Sequence, residues 1–193
     1  MRPSLAVTAV SLLLALTVSA EAGPEYFPIK PVSEKGETLI VASDARTEFS
    51  LDGKSWSPAV PTATCTCWAT LPGATWIWRV ARVSAEETHN GSPVITFRRT
   101  FTPPKGVARA LLRITADNAY KVSLNGAVVG ESGELKAASG IDDSHWRAID
   151  TYAVPLKSGE NVITVQAVNY HSSSTAPGSN PAGIVFSLST TSP

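Results

Sequence analysis

The amino-acid sequence predicts an all-β protein, an antiparallel β-sandwich, and three observations carry the prediction. Short segments alternate apolar and polar residues with a period of two. In ARALLRITA, Ala110, Leu112, Ile114 and Ala116 share one face, and in YKVSLN, Tyr120, Val122 and Leu124 do the same. Strong turn signals, Asp52-Gly53 and Asn125-Gly126 among them, punctuate these segments. Beyond the N-terminal apolar run, no stretch shows the period of an amphipathic helix.

The N-terminal run stands apart from the strand pattern. Arg2 precedes an apolar stretch over residues 5–18, and Ala20-Glu21-Ala22 supplies small residues for cleavage. Residues 1–22 therefore read as a secretory signal peptide, the apolar run being short for a membrane span. The expectation is a secreted, extracellular protein without membrane insertion, in which residues 23–193 form one β-sandwich domain. Sixteen basic and sixteen acidic side chains balance, which gives no electrostatic reason to expect nucleic acid as a partner. Fourteen prolines and thirteen glycines, spread between short apolar runs, suit a turn-rich β protein.

Residues 23–37 form an extended, proline-rich lead-in that packs through Tyr26 and Phe27. Residues 38–42 (TLIVA) are a short strand. In EFSLDGKSW, a two-residue turn at Asp52-Gly53 pairs Leu51 with Lys54 and Phe49 with Trp56. Residues 58–74 are an irregular connection, and residues 75–83 (TWIWRVARV) a strand with Trp76, Trp78 and Val80 on one face. Residues 84–93 are a polar loop; its Asn90-Gly91-Ser92 is a glycosylation acceptor weakened by Pro93. In FRRTF, Phe97, Arg99 and Phe101 share parity, so either a bulge intervenes or Arg99 lies beside the core with a partner. After the two central strands, residues 132–150 form a loop with one helical turn around residues 134–138. Residues 152–156 lead to a tight turn at 157–160, residues 161–169 (NVITVQAVN) form a clear strand, 170–182 a polar loop, and 184–188 (IVFSL) the closing strand.

The two cysteines, Cys65 and Cys67, can bond only each other or another chain; a Cys65–Cys67 bridge and two free thiols both remain open. No nucleophile elbow, HExxH motif or phosphate-cradling glycine loop is present, so no enzymatic activity and no catalytic residues are expected.

The order WIW, FRRTF, ALLRITADNAYKVSLNG, a loop tryptophan and YAVPLKSGENVITVQAVN resembles the galactose-binding-domain-like jelly roll. It is similar to the lectin-like, non-catalytic domains found beside the catalytic parts of rhamnosidases and β-galactosidases. The matching residues are Asp117, the Leu124-Asn125-Gly126 turn and residues 156–161. The resemblance implies a module that often binds sugars and sometimes holds a structural calcium. A glycan or polysaccharide is then the expected partner. A sugar needs an aromatic face plus fixed amide or carboxyl groups. Trp146 and Tyr170, in loops, are the candidate platforms; Asp117, Asn118, Asn169 and His171 are the candidate hydroxyl contacts, with turn chemistry an equal reading for Asp117 and Asn118. Asp142 and Asp143 are the candidate calcium ligands, and no other cofactor is expected. The alternative function is an extracellular matrix or adhesive protein, cross-linked through Cys65 and Cys67.

Overall fold

Alternation and turn chemistry build a sandwich of two sheets. A computed structural model of the protein describes residues 37–137 and 145–191. The expected signal peptide, the lead-in with Tyr26 and Phe27, and Asp142 and Asp143 lie outside the described residues. The first half of the described chain carries β1 (Glu37–Ala42), β2 (Glu48–Ser50), β3 (Ser57–Pro58), β4 (Val60–Pro61), β5 (Ile77–Trp78), the helix α1 (Ala85–Asn90) and β6 (Ile95–Phe101). The second half carries β7 (Arg109–Asp117), β8 (Ala119–Leu124), β9 (Ala127–Ser132), β10 (Asp150–Pro155), β11 (Asn161–Val168) and β12 (Gly183–Thr191).

One sheet runs β10-β7-β12-β5-β4, with β1 also paired to β12; the other runs β3-β2-β6-β11-β8-β9. Every pairing is antiparallel. The inward residues are those the alternation marks: Ile95 and Phe97 on β6, Tyr120 and Val122 on β8, Ile163 and Val165 on β11, Leu112 and Ile114 on β7. At the centre the Trp78 and Phe97 rings lie 5.4 Å apart and tilted, both sealed from solvent.

β7 departs from the expected half-burial. Its outward residues Leu111, Arg113 and Thr115 are buried too, because the irregular connection after β4 folds over the outer face of this sheet. Trp68, Leu71 and Trp76 cover Val185 there, with Trp146 packed against them. Arg113 is 7% exposed and its guanidinium donates to both carboxylate oxygens of Glu37 at 2.6 Å, and to Ser189 Oγ at 3.0 Å. This hydrogen bonding to Arg113 holds the Glu37 carboxyl below its ordinary range.

Several sequence expectations are corrected. The hairpin register is shifted by one: Phe49 faces Ser57, not Trp56. The cause is Asp52, whose carboxylate accepts from the backbone N–H of Lys54 and Ser55 and from the Ser50 hydroxyl, which opens the turn beyond two residues. Trp56 instead lies under the Arg98 guanidinium, 3.9 Å from its ring centroid. Trp76 and Trp78 are both core residues but do not share a face: only Ile77–Trp78 is strand, and Trp76 joins the outer layer. Residues 85–90 are helical, not loop; the Ser84 hydroxyl caps the helix by accepting from Glu87 N–H, and Glu86 and Glu87 favour the first turn. A six-residue helix is too short for periodicity to reveal. Another short helical turn forms at His145–Arg147; the turn expected at residues 134–138 runs into residues outside the described range.

Arg99 resolves in favour of a partner rather than a bulge. β6 pairs with β11 without a register shift, and the buried Arg99 reaches Asp44 at 3.1 Å. The Asn125-Gly126 turn stands as expected, with positive φ of 53° and 86° at its two residues. Asn125 also bonds Asn161 through its amide, and its carbonyl oxygen accepts from Val162 N–H. Asn161 spans its own turn, accepting from Lys157 N–H and donating to the Lys157 and Gly159 carbonyls. The two motif asparagines thus clasp one end of the sandwich.

Two outcomes are expected. Arg113→Ala leaves the Glu37 carboxylate without its main partner and should cost about 3 kcal/mol in urea unfolding; a loss below about 1 kcal/mol would show that the pair does not anchor the outer layer. The Asp52 hydrogen bonds from Ser55 and Lys54 push its carboxyl down from 3.8 to about 2. A depressed carboxyl contributes stability that is complete above the unfolded value and lost as pH falls through the folded one. Wild-type and Asp52→Asn proteins should therefore differ in stability at pH 6, with the gap closing between pH ~4 and ~2.

Candidate functional site

One pole of the sandwich gathers the ends of β7, β9 and β11 and the starts of β6, β8, β10 and β12. The registers fix this: Ile95 faces Ala167, Val168 faces Ala119, Asp117 faces Gly183, and Tyr120 faces Ser132. The connections at this pole are the ones that carry the sequence-predicted residues. Asp117, Asn118, Asn169, Tyr170 and His171 are brought together, and the turn holding Trp146 sits alongside.

The polar groups interlock. Asn118 N–H donates to Val168 O at 3.0 Å, and its side-chain oxygen accepts from Tyr170 N–H at 2.7 Å. The peptide bond between Asp117 and Asn118 is cis. Asn169 exchanges two hydrogen bonds with Ser92, through backbone N–H to Ser92 Oγ and through its carbonyl from Ser92 N–H, both at 2.8 Å. Tyr170 Oη donates to Glu134 O and accepts from Glu134 N–H, at 3.0 and 2.8 Å. Asn180 Nδ2 donates to Tyr170 O at 2.8 Å. His171 N–H donates to Ala137 O.

Accessibility then divides the candidates. His171 is exposed and Asn118 half-buried, so both present groups at the surface. Asp117 is 5% exposed, with its side chain on the outward parity of β7. Asn169 is fully sealed, and among the described residues its side-chain amide atoms have no hydrogen-bond partner. Tyr170, expected as a platform, is buried with Ala119 and Val168, and its hydroxyl is spent on the backbone of residue 134. The ring braces the 132–137 loop and has no face open to a sugar.

Trp146 remains partly exposed. Its ring is 6.3 Å from Trp68, which stacks 4.2 Å from Trp76, and the Arg147 guanidinium lies 4.4 Å from its centroid. Two bonds seat this turn: Thr115 Oγ1 donates to His145 O at 2.7 Å, and Ser132 Oγ meets His145 Nδ1 at 2.7 Å. Beneath it, Tyr120 Oη donates to Asp150 Oδ2 at 2.6 Å and lies 3.1 Å from Tyr152 Oη. Burial, then these hydrogen bonds, push the Tyr120 phenol up, and burial does the same for Tyr152, so both remain neutral.

Ser132, Glu134, Arg147 and Asn180 were not singled out from the sequence. Their partners include the adjacent residue, Trp146 for Arg147, and one 36 residues away, Tyr170 for Glu134, and no local pattern marks them. Cys65 and Cys67 are joined in a disulfide on the exposed loop before Trp68, which settles the alternative left open between bridge and free thiols. Among the described residues no group of three or more His, Cys, Asp or Glu side chains converges as a metal site.

Strand order and register define an antiparallel β-sandwich of two six-stranded sheets. No protein-family model matches the chain. An alpha-L-rhamnosidase of Streptomyces avermitilis is 37% identical over 103 residues, or 51% of this chain and 9% of the rhamnosidase. The chain therefore spans only 9% of the length of the curated relative it matches. Among solved structures, the Streptomyces avermitilis alpha-L-rhamnosidase complexed with L-rhamnose is 28% identical at a TM-score of 0.43, covering 75% of this chain and 12% of that one. The apo Pleurotus ostreatus lectin is 25% identical at 0.38, covering 70% and 33%. A family 35 carbohydrate-binding module from Clostridium thermocellum is 14% identical at 0.41, covering 78% and 98%. These TM-scores are low, and the fold assignment rests on this chain's own strand order and register.

The buried role of Tyr170 is testable. Tyr170→Phe removes one donor and one acceptor and should lower stability by about 1–2 kcal/mol, with faster amide exchange in residues 132–137. Unchanged exchange there would contradict the bracing role.

Proposed function

We propose that this chain is a secreted carbohydrate-binding module that acts without catalysis of its own. The loop pole seats the sugar, with Trp146 as the apolar surface and Asn118 and His171 supplying contacts to hydroxyl groups. The observation that carries this reading is that residues 117–118, 145–147 and 169–171 lie on connections at one end of a rigid double sheet, among them the half-buried Trp146 and the exposed His171. The 37% identity to a stretch of an alpha-L-rhamnosidase supports it. A matrix protein cross-linked through its cysteines is disfavoured, because Cys65 and Cys67 are bonded to each other and no third cysteine exists.

A glycan microarray of the wild-type chain should show binding, with affinity about tenfold weaker for Trp146→Ala, the scale of one lost aromatic contact. Because Trp146 also packs on Trp68, the exposed His171 gives the cleaner variant: His171→Ala should weaken binding about threefold without moving Tm. Absence of binding to every arrayed glycan would overturn the proposal.

A further inference from the structure

The chain from residue 55 to 78 carries no charged side chain, and it holds both cysteines of the protein. Cys65, Thr66 and Cys67 are all exposed, although Trp68 beside them is buried. Their disulfide closes a ring around a single intervening residue. A cross-link stabilises a fold mainly by restricting the unfolded chain, and the restriction grows with the length of chain enclosed. A bridge across one residue therefore does little for the sandwich as a whole. Its effect lies in the turn that it closes.

That turn is tied into the outer tryptophan layer. Trp68 N–H donates to Cys65 O at 3.2 Å, and Cys67 N–H donates to Cys65 Sγ at 3.2 Å. One residue further on, Ala69 N–H donates to Trp146 O at 2.9 Å, and Ala69 O accepts from Trp76 Nε1 at 2.8 Å. The Trp68 ring lies 4.2 Å from that of Trp76 and 6.3 Å from that of Trp146. An exposed sulfur pair thus sits within a few residues of the atoms that hold all three indoles. The hydrogen bond to Cys65 Sγ also sets the two sulfurs apart, because an N–H aimed at sulfur favours its thiolate form.

We propose that the Cys65–Cys67 disulfide is a thiol-exchange site whose opening loosens the seat of Trp146, with small thiols and dithiols as its co-reactants. The thiolate of the incoming molecule attacks Cys67 Sγ. A new S–S bond forms there, the Cys65–Cys67 bond breaks, and Cys65 leaves as a thiolate with the electron pair. Cys65 is the better leaving group because it accepts the Cys67 N–H. With a dithiol, the second thiolate attacks the reagent's own sulfur in the mixed disulfide and releases Cys67. The cystine gains two electrons and, from the reagent's two thiols, two protons; the dithiol is oxidised to its cyclic disulfide. Exposure gives access, and the uncharged segment around the cysteines sets no carboxylate of its own against an incoming thiolate. With the bond open the 65–68 turn loses its cross-link, and Ala69 holds Trp146 O less firmly. This inference does not rest on carbohydrate binding: it concerns two sulfurs and one backbone hydrogen bond.

The test treats the folded protein with dithiothreitol and follows the Ala69 amide by hydrogen exchange in NMR spectra. Reduction should go to completion without denaturant. Ala69 exchange should then quicken about tenfold, the scale of one hydrogen bond, while Tm moves by less than about 3 °C. The double variant Cys65→Ser/Cys67→Ser should show the same faster exchange with no reductant present. Brief exposure of the wild-type protein to reduced glutathione, stopped in acid, should leave the glutathionyl adduct on Cys67, read by peptide mass spectrometry. A disulfide that opens only in denaturant, an adduct confined to Cys65, or unchanged Ala69 exchange after reduction would overturn the proposal. So would a much larger fall in Tm on reduction, which would make the bond a staple of the whole fold. Should the double variant fail to fold, the reduced wild-type protein decides the outcome.

Discussion

Burial of β7 on both faces is the constraint on which the rest of this structure depends. A strand at the middle of an antiparallel sheet ordinarily keeps one face wet. Here the inward face, Leu112 and Ile114, joins the core between the sheets, and the outward face carries Arg113 and Thr115 in equal seclusion. An arginine cannot be secluded alone, and Glu37 and Ser189 complete its hydrogen bonding. The outward surface of β12 beside it is met by three indoles from two segments: Trp68 and Trp76 from the connection after β4 and, through a turn bonded to Thr115, Trp146. The same layer that shields β7 therefore also sets where Trp146 stands relative to the loop pole. Fold and candidate site share one cause.

The fold was legible because its determinants are local. Alternation in β7, β8 and β11 and the Asn125-Gly126 turn need only neighbouring residues to be read. What escaped reading depends on distance along the chain. The Asp52-Gly53 dipeptide signals a two-residue turn, yet the Asp52 carboxylate collects donors on both sides and shifts the register. Trp76 and Trp78 obey alternation on paper, but their strand is two residues long and the chain rotates out of it, sending one indole to each layer. For the site, residue type was legible and accessibility was not. Tyr170 and Trp146 are equally plausible loop aromatics in sequence; only the backbone of Glu134, 36 residues away, turns the first into a brace. The convergence of residues 117–118 with 169–171 was likewise hidden until β8 and β11 were paired in register.

The pole and the outer sheet face divide the polar surface in two different ways. At the pole, hydrogen bonds between loops consume most of the available groups, leaving a few exposed ones on connections braced from behind. On the sheet, the backbone is satisfied by the ladder itself, so the side chains of β6, β8 and β11 are free to face solvent in repeated order.

The asparagine clasp has a consequence for how the two ends of the molecule answer to acid. Asn125 and Asn161 tie the far end with amides and backbone groups, none of which gains or loses a proton across the ordinary pH range. The near end relies on a carboxylate: the turn after β2, which lies beside the start of β6, is organised by Asp52. Acidification through the Asp52 value therefore weakens this turn, while the asparagine clasp keeps its hydrogen bonds.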